Sequence, residues 1–501
     1  MKHSSLNHED PSLFLEVYNA GGAAVLPLHS SIALFLLSYT ECRSFRVYLV
    51  SDQPGSVDAL AGSLPESLVV SEVQRAEAPA LVAACRLPAV LEPDGRFCRA
   101  GLAVVLRHII QTTCLPEPRR RDVASLLGFK NTCLKACAEV SRWTRLCELE
   151  IPSAVEDHLR HPTEERLCLP AALLQLERRL AEPVKVHNDD KLRRHKLQQQ
   201  KNSEKSSEPR ESQQEDPQTE RRCGVEMSAA LAKLSVDGAS PGPATREHSE
   251  IRKVKTTELP ELEHVFAEGL YFTLTDAVLL PCVHPYLLSL QSRAPHVLLQ
   301  LPLLLRWYQR VQEVPGVRRA AEDCGMALFE PRVPQPVSTR PDGPRVLESQ
   351  QDVPAPCREH FLGGPRPTLG KLQEHGIEAV FSPHPCPSWT LDWEGLPAAV
   401  NPTEGKMSDA RAVRKRQQLN NLVAMVKELA GPDHTIVDFC SGGGHVGIVL
   451  AHTLPRCQVI LIENKEESLV RARDRSSQLG LHNISFIQAN LDYFIGNFQV
   501  G

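Results

Sequence analysis

Residues 436–447 read Ile-Val-Asp-Phe-Cys-Ser-Gly-Gly-Gly-His-Val-Gly, and this stretch decides the fold of the C-terminal part of the chain. Apolar residues that end in Asp438 predict a buried strand, and the apolar run 448–454 predicts a helix. Glycine lets the backbone turn tightly and approach a ligand closely, so a glycine run between a strand and a helix predicts a ligand-binding loop. The glycines of this loop are Gly442, Gly443 and Gly444.

Two carboxylates narrow the interpretation of the loop. Asp438 ends the first strand, where its charge suits a cationic or amine-bearing ligand and would repel a pyrophosphate. A second predicted strand, residues 458–463, ends in Glu463, which is placed to hold ribose hydroxyls. The spacing Gly442-x-Gly444-x-x-Gly447 also fits dinucleotide-binding proteins, and a glycine turn in an unrelated α/β unit is a further alternative.

The combination resembles the S-adenosylmethionine site of Rossmann-like methyltransferases. The resemblance implies that Asp438 faces the methionine end of the cofactor, that the glycine backbone passes the ligand and that Glu463 holds the ribose. A third predicted strand, residues 484–488, precedes Asn490, which stands where such folds place an adenine-contacting side chain. The predicted cofactor-binding residues are therefore Asp438, Gly442, Gly443, Gly444, Glu463 and Asn490.

The segments before and after these strands also have predicted roles. A helix predicted at 410–426 precedes the first strand, and Gln417 and Gln418 are candidates to cover the methionine end of the ligand. In this fold the methyl-transfer residues usually follow a fourth strand, and the sequence ends at Gly501 in what reads as the lead-in to that strand. We expect a shortened form of a longer protein, with methyl transfer lost or impaired and no catalytic residue assigned.

The overall composition limits the class of protein to which the chain can belong. A length of 501 residues predicts three or four domains, and 23% charged residues is ordinary for a soluble globular chain. The net charge of −5 gives no overall basic field that points to nucleic acid. No apolar run reads as a signal peptide or membrane span, and the 15 cysteines lack metal-binding spacing. The composition predicts an intracellular protein with free thiols and no metal site.

The N-terminal part predicts a second α/β unit. A strand, a helix and a second strand are predicted within 23–50, followed by a short strand near Pro88 and an amphipathic helix at 101–111. This layout resembles the thioredoxin-like N-terminal domain of glutathione transferases, in which the equivalent proline is cis. The acidic and hydroxyl pair with which that family binds glutathione aligns with Ala100-Gly101. We therefore expect that glutathione chemistry is lost.

A later region predicts a helical domain. Thr273-Leu-Thr-Asp276 has the form of a capping box, with Phe272 before it as a hydrophobic staple. A helix containing Pro302 and Trp307 follows, and then the sequence Val314-Pro-Gly-Val317. This succession resembles the all-α C-terminal domain of glutathione transferases, where the capping box is a folding element.

Two segments lack the pattern of a packed core. Residues 183–258 contain few large apolar side chains and predict a disordered insert, with the basic run 191–196 as a solvated charge cluster in preference to a nucleic-acid or nuclear-import patch. Residues 331–400 predict a linker with a Pro/Trp-rich part. In that part Trp389 and Trp393 are expected to pack on the adjoining domain in preference to stacking on a base or peptide.

Taken together, the chain resembles the family of glutathione S-transferase C-terminal domain-containing proteins over most of its length. Residues 98–108, 264–272 and 438–447 carry that match. The resemblance implies a cytoplasmic, multidomain α/β protein. The predicted parts are a loose N-terminus at 1–20, a degenerate thioredoxin-like domain at 21–118, an all-α transferase C-terminal-like domain at 119–330 with its insert at 183–258, the linker at 331–400, and a partial Rossmann-like methyltransferase domain at 401–501.

These features predict an S-adenosylmethionine-dependent methyltransferase whose acceptor is an unknown protein or RNA. The alternative is a non-catalytic scaffold or interaction protein that uses its transferase-like domains, through which a homodimer is also expected. A working glutathione transferase is disfavoured by Ala100-Gly101. An acidic, aromatic or cysteine-containing motif after a fourth strand would favour catalysis over the scaffold.

Overall fold

The computed structural model of the chain has a mixed α/β fold organised around one large sheet. It describes residues 10–52, 55, 59–136, 138–161, 169–184, 190–205, 225–234, 254–331, 370, 372–377, 388–405 and 408–496. Eight strands form the large sheet and two form a separate antiparallel ribbon. The strands are β1 (Ser12–Glu16), β2 (Tyr18–Ala20), β3 (Ala23–Val25), β4 (Arg46–Ser51), β5 (Val70–Gln74), β6 (Ala89–Leu91), β7 (Phe97–Ala100), β8 (Thr435–Phe439), β9 (Gln458–Glu463) and β10 (Ile484–Gln488).

Helices pack against this sheet and against each other. Among the helices of the described residues, none is long and apolar enough to cross a membrane. The helices are α1 (Leu28–Thr40), α2 (Ala80–Ala83), α3 (Leu102–Cys114), α4 (Arg121–Ala124), α5 (Ala138–Arg145), α6 (Ile151–Arg160), α7 (Ala171–Ala181), α8 (Asp190–Lys205), α9 (Val225–Leu234), α10 (Leu274–Arg293), α11 (Pro302–Gln312), α12 (Val317–Asp323), α13 (Asp409–Leu429), α14 (His445–Thr453) and α15 (Glu466–Gln478).

The strand order of the large sheet is β5-β4-β1-β6-β7-β10-β9-β8. The N-terminal half is mixed, since β1 runs parallel to β4 and antiparallel to β6, which in turn is antiparallel to β7. The C-terminal half is parallel, with β9 between β8 and β10. The strands predicted at 458–463 and 484–488 are confirmed with those bounds as β9 and β10.

The two halves of the sheet join directly where β7 pairs in parallel with β10. The rings of Phe97 and Phe486 stack across this junction with centroids 5.9 Å apart. The guanidinium of Arg96 donates to the carbonyls of Leu481 at 2.7 Å and Ile484 at 2.9 Å. The sequence predicts the N-terminal and C-terminal strands in separate domains, and the structure joins them into one sheet.

The helical part is organised around a buried carboxylate. Asp276, with no exposed surface, accepts hydrogen bonds from the amides of Thr273 and Ala267 and from the indole of Trp307, each at 2.8 Å. Burial raises the pKa of Asp276 to about 6. The predicted capping box at the start of α10 is confirmed, and Phe272 is buried beside it.

The predicted disorder at 183–258 is wrong for the residues that form α8 and α9. The ammonium of Lys196 on α8 lies 2.6 Å from the carboxylate of Glu226 on α9, and both side chains are more than four-fifths buried. Arg193 donates to the carbonyls of Leu259 at 2.6 Å and Pro260 at 3.1 Å. Charged side chains of the basic run thus make specific contacts that composition does not reveal. Residues 185–189, 206–224 and 235–253 lie outside the described residues.

Much of the predicted linker at 331–400 also lies outside the described residues, but its tryptophans are placed. The indole of Trp393 donates to the side-chain oxygen of Asn420 on α13 at 3.0 Å. The guanidinium of Arg416 lies over the Trp393 ring and the ammonium of Lys427 over the Trp389 ring, at 5.5 Å and 5.2 Å from the ring centroids. The prediction that both tryptophans pack on the adjoining unit is confirmed.

Candidate functional site

The glycine loop connects β8 to α14 and uses its glycines in two different ways. Gly442 and Gly444 both have positive φ, +56° and +70°, which favours glycine. A Cβ atom on Gly444 would lie 2.6 Å from Leu461 and 2.8 Å from Ala472, so this glycine permits the loop to pack on β9 and α15. A Cβ atom on Gly442 would meet nothing within 4 Å. The backbone at Gly442 therefore faces open space that a ligand can approach.

The two predicted carboxylates hold the loop from either side. Asp438 accepts a hydrogen bond from the amide of Gly447 at 3.1 Å. Glu463 accepts one from the amide of Gly442 at 2.9 Å, and its other oxygen accepts from the amides of Asn464 and Lys465, both at 3.0 Å. Since carboxylate oxygens accept about four hydrogen bonds in all, Glu463 keeps capacity for a further donor.

The predicted site residues lie along one edge of the sheet. Asp438 is the last residue but one of β8, Glu463 ends β9, and Asn490 lies just after β10. These strands are parallel. Neighbouring strands are about 4.8 Å apart, so the three positions span on the order of 10 Å. Asn490 is exposed and its amide donates to Asp492 at 3.2 Å. The edge can accommodate an elongated ligand laid across the strands.

The electrostatics near Asp438 favour a ligand that brings positive charge. Burial raises the pKa of Asp438, while the amide of Gly447 and the charge of Lys415 oppose that shift. The helix predicted at 410–426 is α13, and Gln417 and Gln418 are exposed on it. Gln418 accepts a hydrogen bond from Lys415 at 2.9 Å. On α13 it is Lys415, and not the two proposed glutamines, whose charge acts on Asp438.

Sequence reasoning missed the residue that fixes the loop from below. Arg475, on the buried face of α15, donates to the carbonyls of Gly443 at 2.9 Å and Ala399 at 3.0 Å. It also reaches the carbonyls of Val400 and Asn401, both at 3.3 Å. The sequence did contain one signal for this role. Arg475 lies on the same face of α15 as the buried residues Leu469, Ala472 and Ser476, where a charged side chain must have hydrogen-bond partners.

A second glycine at the same edge of the sheet is covered. Gly101 follows β7 and has φ +104°, and a Cβ atom there would lie 2.9 Å from the ring of Tyr493. The segment after β10 is held in place by its backbone, because the carbonyl of Tyr493 accepts from Arg86 at 2.7 Å and the amide of Ile495 donates to Ala84 at 2.9 Å. The peptide bond before Pro88 is cis. Tyr493 therefore fills the space beside Gly101.

Polar groups around this covered position are buried. The carboxylate of Glu148, in a π-helical turn at Leu146–Glu150, accepts from the amide of Ala103 at 2.9 Å, and its burial raises its pKa. The ring of His29 lies 2.6 Å from the Glu148 carbonyl, and burial lowers the pKa of His29. Burial raises the pKa of Tyr493 far above its usual value, with a contribution from the charge of Glu148.

The hydroxyls of Ser30 and Ser31 donate to the carbonyls of Glu16 and Pro27, at 2.8 Å and 3.3 Å. No group of three His, Cys, Asp or Glu side chains within the described part of the chain lies close enough together to hold a metal ion.

Comparison with known proteins agrees with this geometry. The family model described as a methyltransferase domain matches residues 431–496, which hold β8 to β10 and the glycine loop. The fold and the match together define a protein that carries a methyltransferase domain.

Relatives in other animals match almost the whole chain. The glutathione S-transferase C-terminal domain-containing protein of Xenopus laevis is 54% identical over 97% of this chain and 79% of its own length. The human protein of the same name is 51% identical over 98% and 79%. A homolog in Drosophila melanogaster is 29% identical over 94% and 74%. The chain belongs to the family of glutathione S-transferase C-terminal domain-containing proteins, as its sequence predicted.

Proposed function

We propose that residues 431–496 bind S-adenosylmethionine and that the chain carries the cofactor-binding part of an S-adenosylmethionine-dependent methyltransferase, with methyl transfer itself lost or impaired in this form. One observation carries this proposal. Asp438, the open backbone of Gly442 and the carboxylate of Glu463 lie next to each other at the carboxyl ends of β8 and β9. The match of a methyltransferase domain to the same residues supports it.

The residues fit the cofactor group by group. Asp438 suits the ammonium and sulfonium charges of the methionine end, since opposite charges attract more strongly where water is partly excluded. Glu463 has remaining acceptor capacity for ribose hydroxyls, and the exposed amide of Asn490 suits the adenine. The hydroxyl of Ser441 is buried and has no hydrogen-bond partner among the described residues, so it is available to a ligand in the loop.

The bound cofactor supplies an electrophilic methyl group, and the protein must place a nucleophile in line with it. Asp438 and the glycine loop orient that end of the ligand, and Arg475 keeps the loop in shape through the Gly443 carbonyl. The acceptor, protein or RNA, stays a prediction, as do the cytoplasmic location and the homodimer.

We also propose that the N-terminal region is a thioredoxin-like domain and that the helices around α10 form a transferase-type all-α domain. The strand order β4-β1-β6-β7, the cis bond before Pro88 and the capping box support this. The space where glutathione would contact the start of α3 is filled by Tyr493. This observation favours a supporting role for these domains, and a non-catalytic scaffold is the second candidate function for the whole chain.

Isothermal titration of S-adenosylhomocysteine into the 501-residue protein tests the proposal. We expect saturable binding at one site, weakened by Asp438→Asn, which keeps the shape of the side chain and removes its charge. A matched control is Asp433→Asn, an exposed aspartate just before β8. Absence of binding by the wild-type protein would contradict the proposed cofactor site and leave the scaffold function.

A further inference from the structure

A cavity of about 130 Å³ lies where the C-terminal strands meet the N-terminal helices. We call it the junction cavity. One wall comes from α3 with Ala103 and Val104, and a second from α5 and the π-helical turn with Thr144 and Glu148. The remaining wall belongs to the methyltransferase domain and consists of Asn464 to Glu467 with Gln488, Asn490 and Tyr493.

Three buried polar atoms that line this cavity have no hydrogen-bond partner among the described residues. They are the hydroxyl of Thr144, the side-chain oxygen of Gln488 and Nε2 of His108. The hydroxyl of Tyr493 differs from them, because it contacts the buried carboxylate of Glu148. Thr144 and Gln488 are only 5% and 7% exposed. Buried polar groups are normally hydrogen-bonded, so three unpaired ones around one cavity favour a polar ligand over an apolar one.

The location of the junction cavity relates it to the cofactor site. Asn464 directly follows Glu463, and the amide of Gln488 donates to the Asn464 carbonyl at 3.4 Å. Asn490 lines the cavity as well. Asp438 lies two strands away on β8, so a ligand whose charged end is at Asp438 and whose ribose is at Glu463 has its opposite end at this cavity.

We propose that the adenine base of S-adenosylmethionine enters the junction cavity, and that helices α3 and α5 contribute two walls of the cofactor site. This inference rests on the proposed function. The amino group of adenine is a donor for the Gln488 oxygen, and a ring nitrogen is an acceptor for the Thr144 hydroxyl. Ala103 and Val104 offer apolar contact to the flat face of the base.

The size of the cavity agrees with a base and not with a whole nucleotide. A cavity of about 150 Å³ in another protein holds benzene, so about 130 Å³ suits the six-membered ring of adenine, with the rest of the base directed toward the ribose. The methyl acceptor approaches at the other end of the ligand, near Asp438. The N-terminal region is therefore expected to affect cofactor affinity and not the choice of acceptor.

Calorimetric titration of S-adenosylhomocysteine into three variants tests this inference. Thr144→Val removes one wall hydroxyl with little change in shape, and Val104→Phe fills the cavity. The matched control is Thr113→Val, because Thr113 is also buried but bonds to the Ile109 carbonyl and does not line the cavity. Melting curves establish that each variant is folded.

We expect Thr144→Val to weaken binding about 2–10-fold, the worth of one neutral hydrogen bond, and Val104→Phe to weaken it further. Thr113→Val should bind as the wild type does. If the wild type binds and the folded Thr144→Val variant binds equally well, the inference is wrong while the proposed function stands. If Val104→Phe does not fold, Thr144→Val alone decides. If the wild-type protein does not bind S-adenosylhomocysteine, both the proposed function and this inference are wrong.

Discussion

Two glycines follow strands at the same edge of one sheet, and their surroundings differ completely. Above Gly442, in the methyltransferase domain, a side chain would meet nothing within 4 Å. Beside Gly101, in the N-terminal region, the ring of Tyr493 lies 2.9 Å from the position of an added Cβ atom. Glycine alone therefore does not define a binding site. What occupies the space next to the glycine decides whether a ligand can approach.

The largest expected effect comes from uncovering Gly101. Tyr493→Ala should lower the free energy of unfolding by about 3–5 kcal/mol, because it removes a fully buried aromatic ring and leaves a cavity. Differential scanning calorimetry should show a lower melting temperature. Tyr493→Phe keeps the ring, so its free energy of unfolding should fall much less. Equal stability of Tyr493→Ala and the wild type would show that the ring does not hold the two halves together.

The proposed cofactor site is tested at Glu463, the carboxylate that we propose holds the ribose. Glu463→Ala should weaken S-adenosylhomocysteine binding at least tenfold, because a hydrogen bond to a charged group contributes about 1.5–3 kcal/mol. The loss of its bond to the Gly442 amide adds to the effect. Asp474→Ala is the control, since that side chain on α15 is 61% exposed and does not line the junction cavity. If calorimetry finds the same affinity for Glu463→Ala as for the control variant, Glu463 does not belong to the cofactor site.

A smaller effect is expected from closing the open space itself. Gly442→Ala keeps φ near +56°, which costs a non-glycine residue about 1–2 kcal/mol, and places a methyl group where the ligand passes. Affinity for S-adenosylhomocysteine should fall several-fold. Gly480→Ala is matched, because Gly480 has φ +63° and also nothing within 4 Å, but it follows α15 away from the loop. If both variants bind equally, the space above Gly442 is not the ligand path.

The smallest expected effect is no effect. The wild-type protein should not be retained on immobilised glutathione, because Gly101 offers no side chain to its γ-glutamyl carboxylate and Tyr493 fills the space. The variant Tyr493→Ala should behave in the same way, since it opens the space without restoring the missing acid and hydroxyl. Retention of either protein, with elution by free glutathione, would show that the space beside Gly101 binds glutathione.

Local pattern was sufficient for the elements that carry the site. Each of these elements is encoded within about ten residues, so its hydrophobic pattern and its turn or cap residues can be recognised in the sequence. They are the strands β9 and β10, the glycine loop and the capping box at Thr273. The pairing of β7 with β10 was not, because it joins residues far apart in the chain and leaves no local signal. The same holds for Tyr493 beside Gly101 and for Arg475 below the loop. Their roles depend on which distant segment packs against them.

The junction of β7 and β10 has a consequence for how the protein is made. β7 leaves the ribosome about 380 residues before β10, and at about 5–20 residues per second that interval lasts on the order of 20–80 s. Throughout it the outer edge of β7 presents unpaired amides and carbonyls, which attract other strands. The nascent N-terminal region therefore keeps an unpaired sheet edge until β10 has been translated.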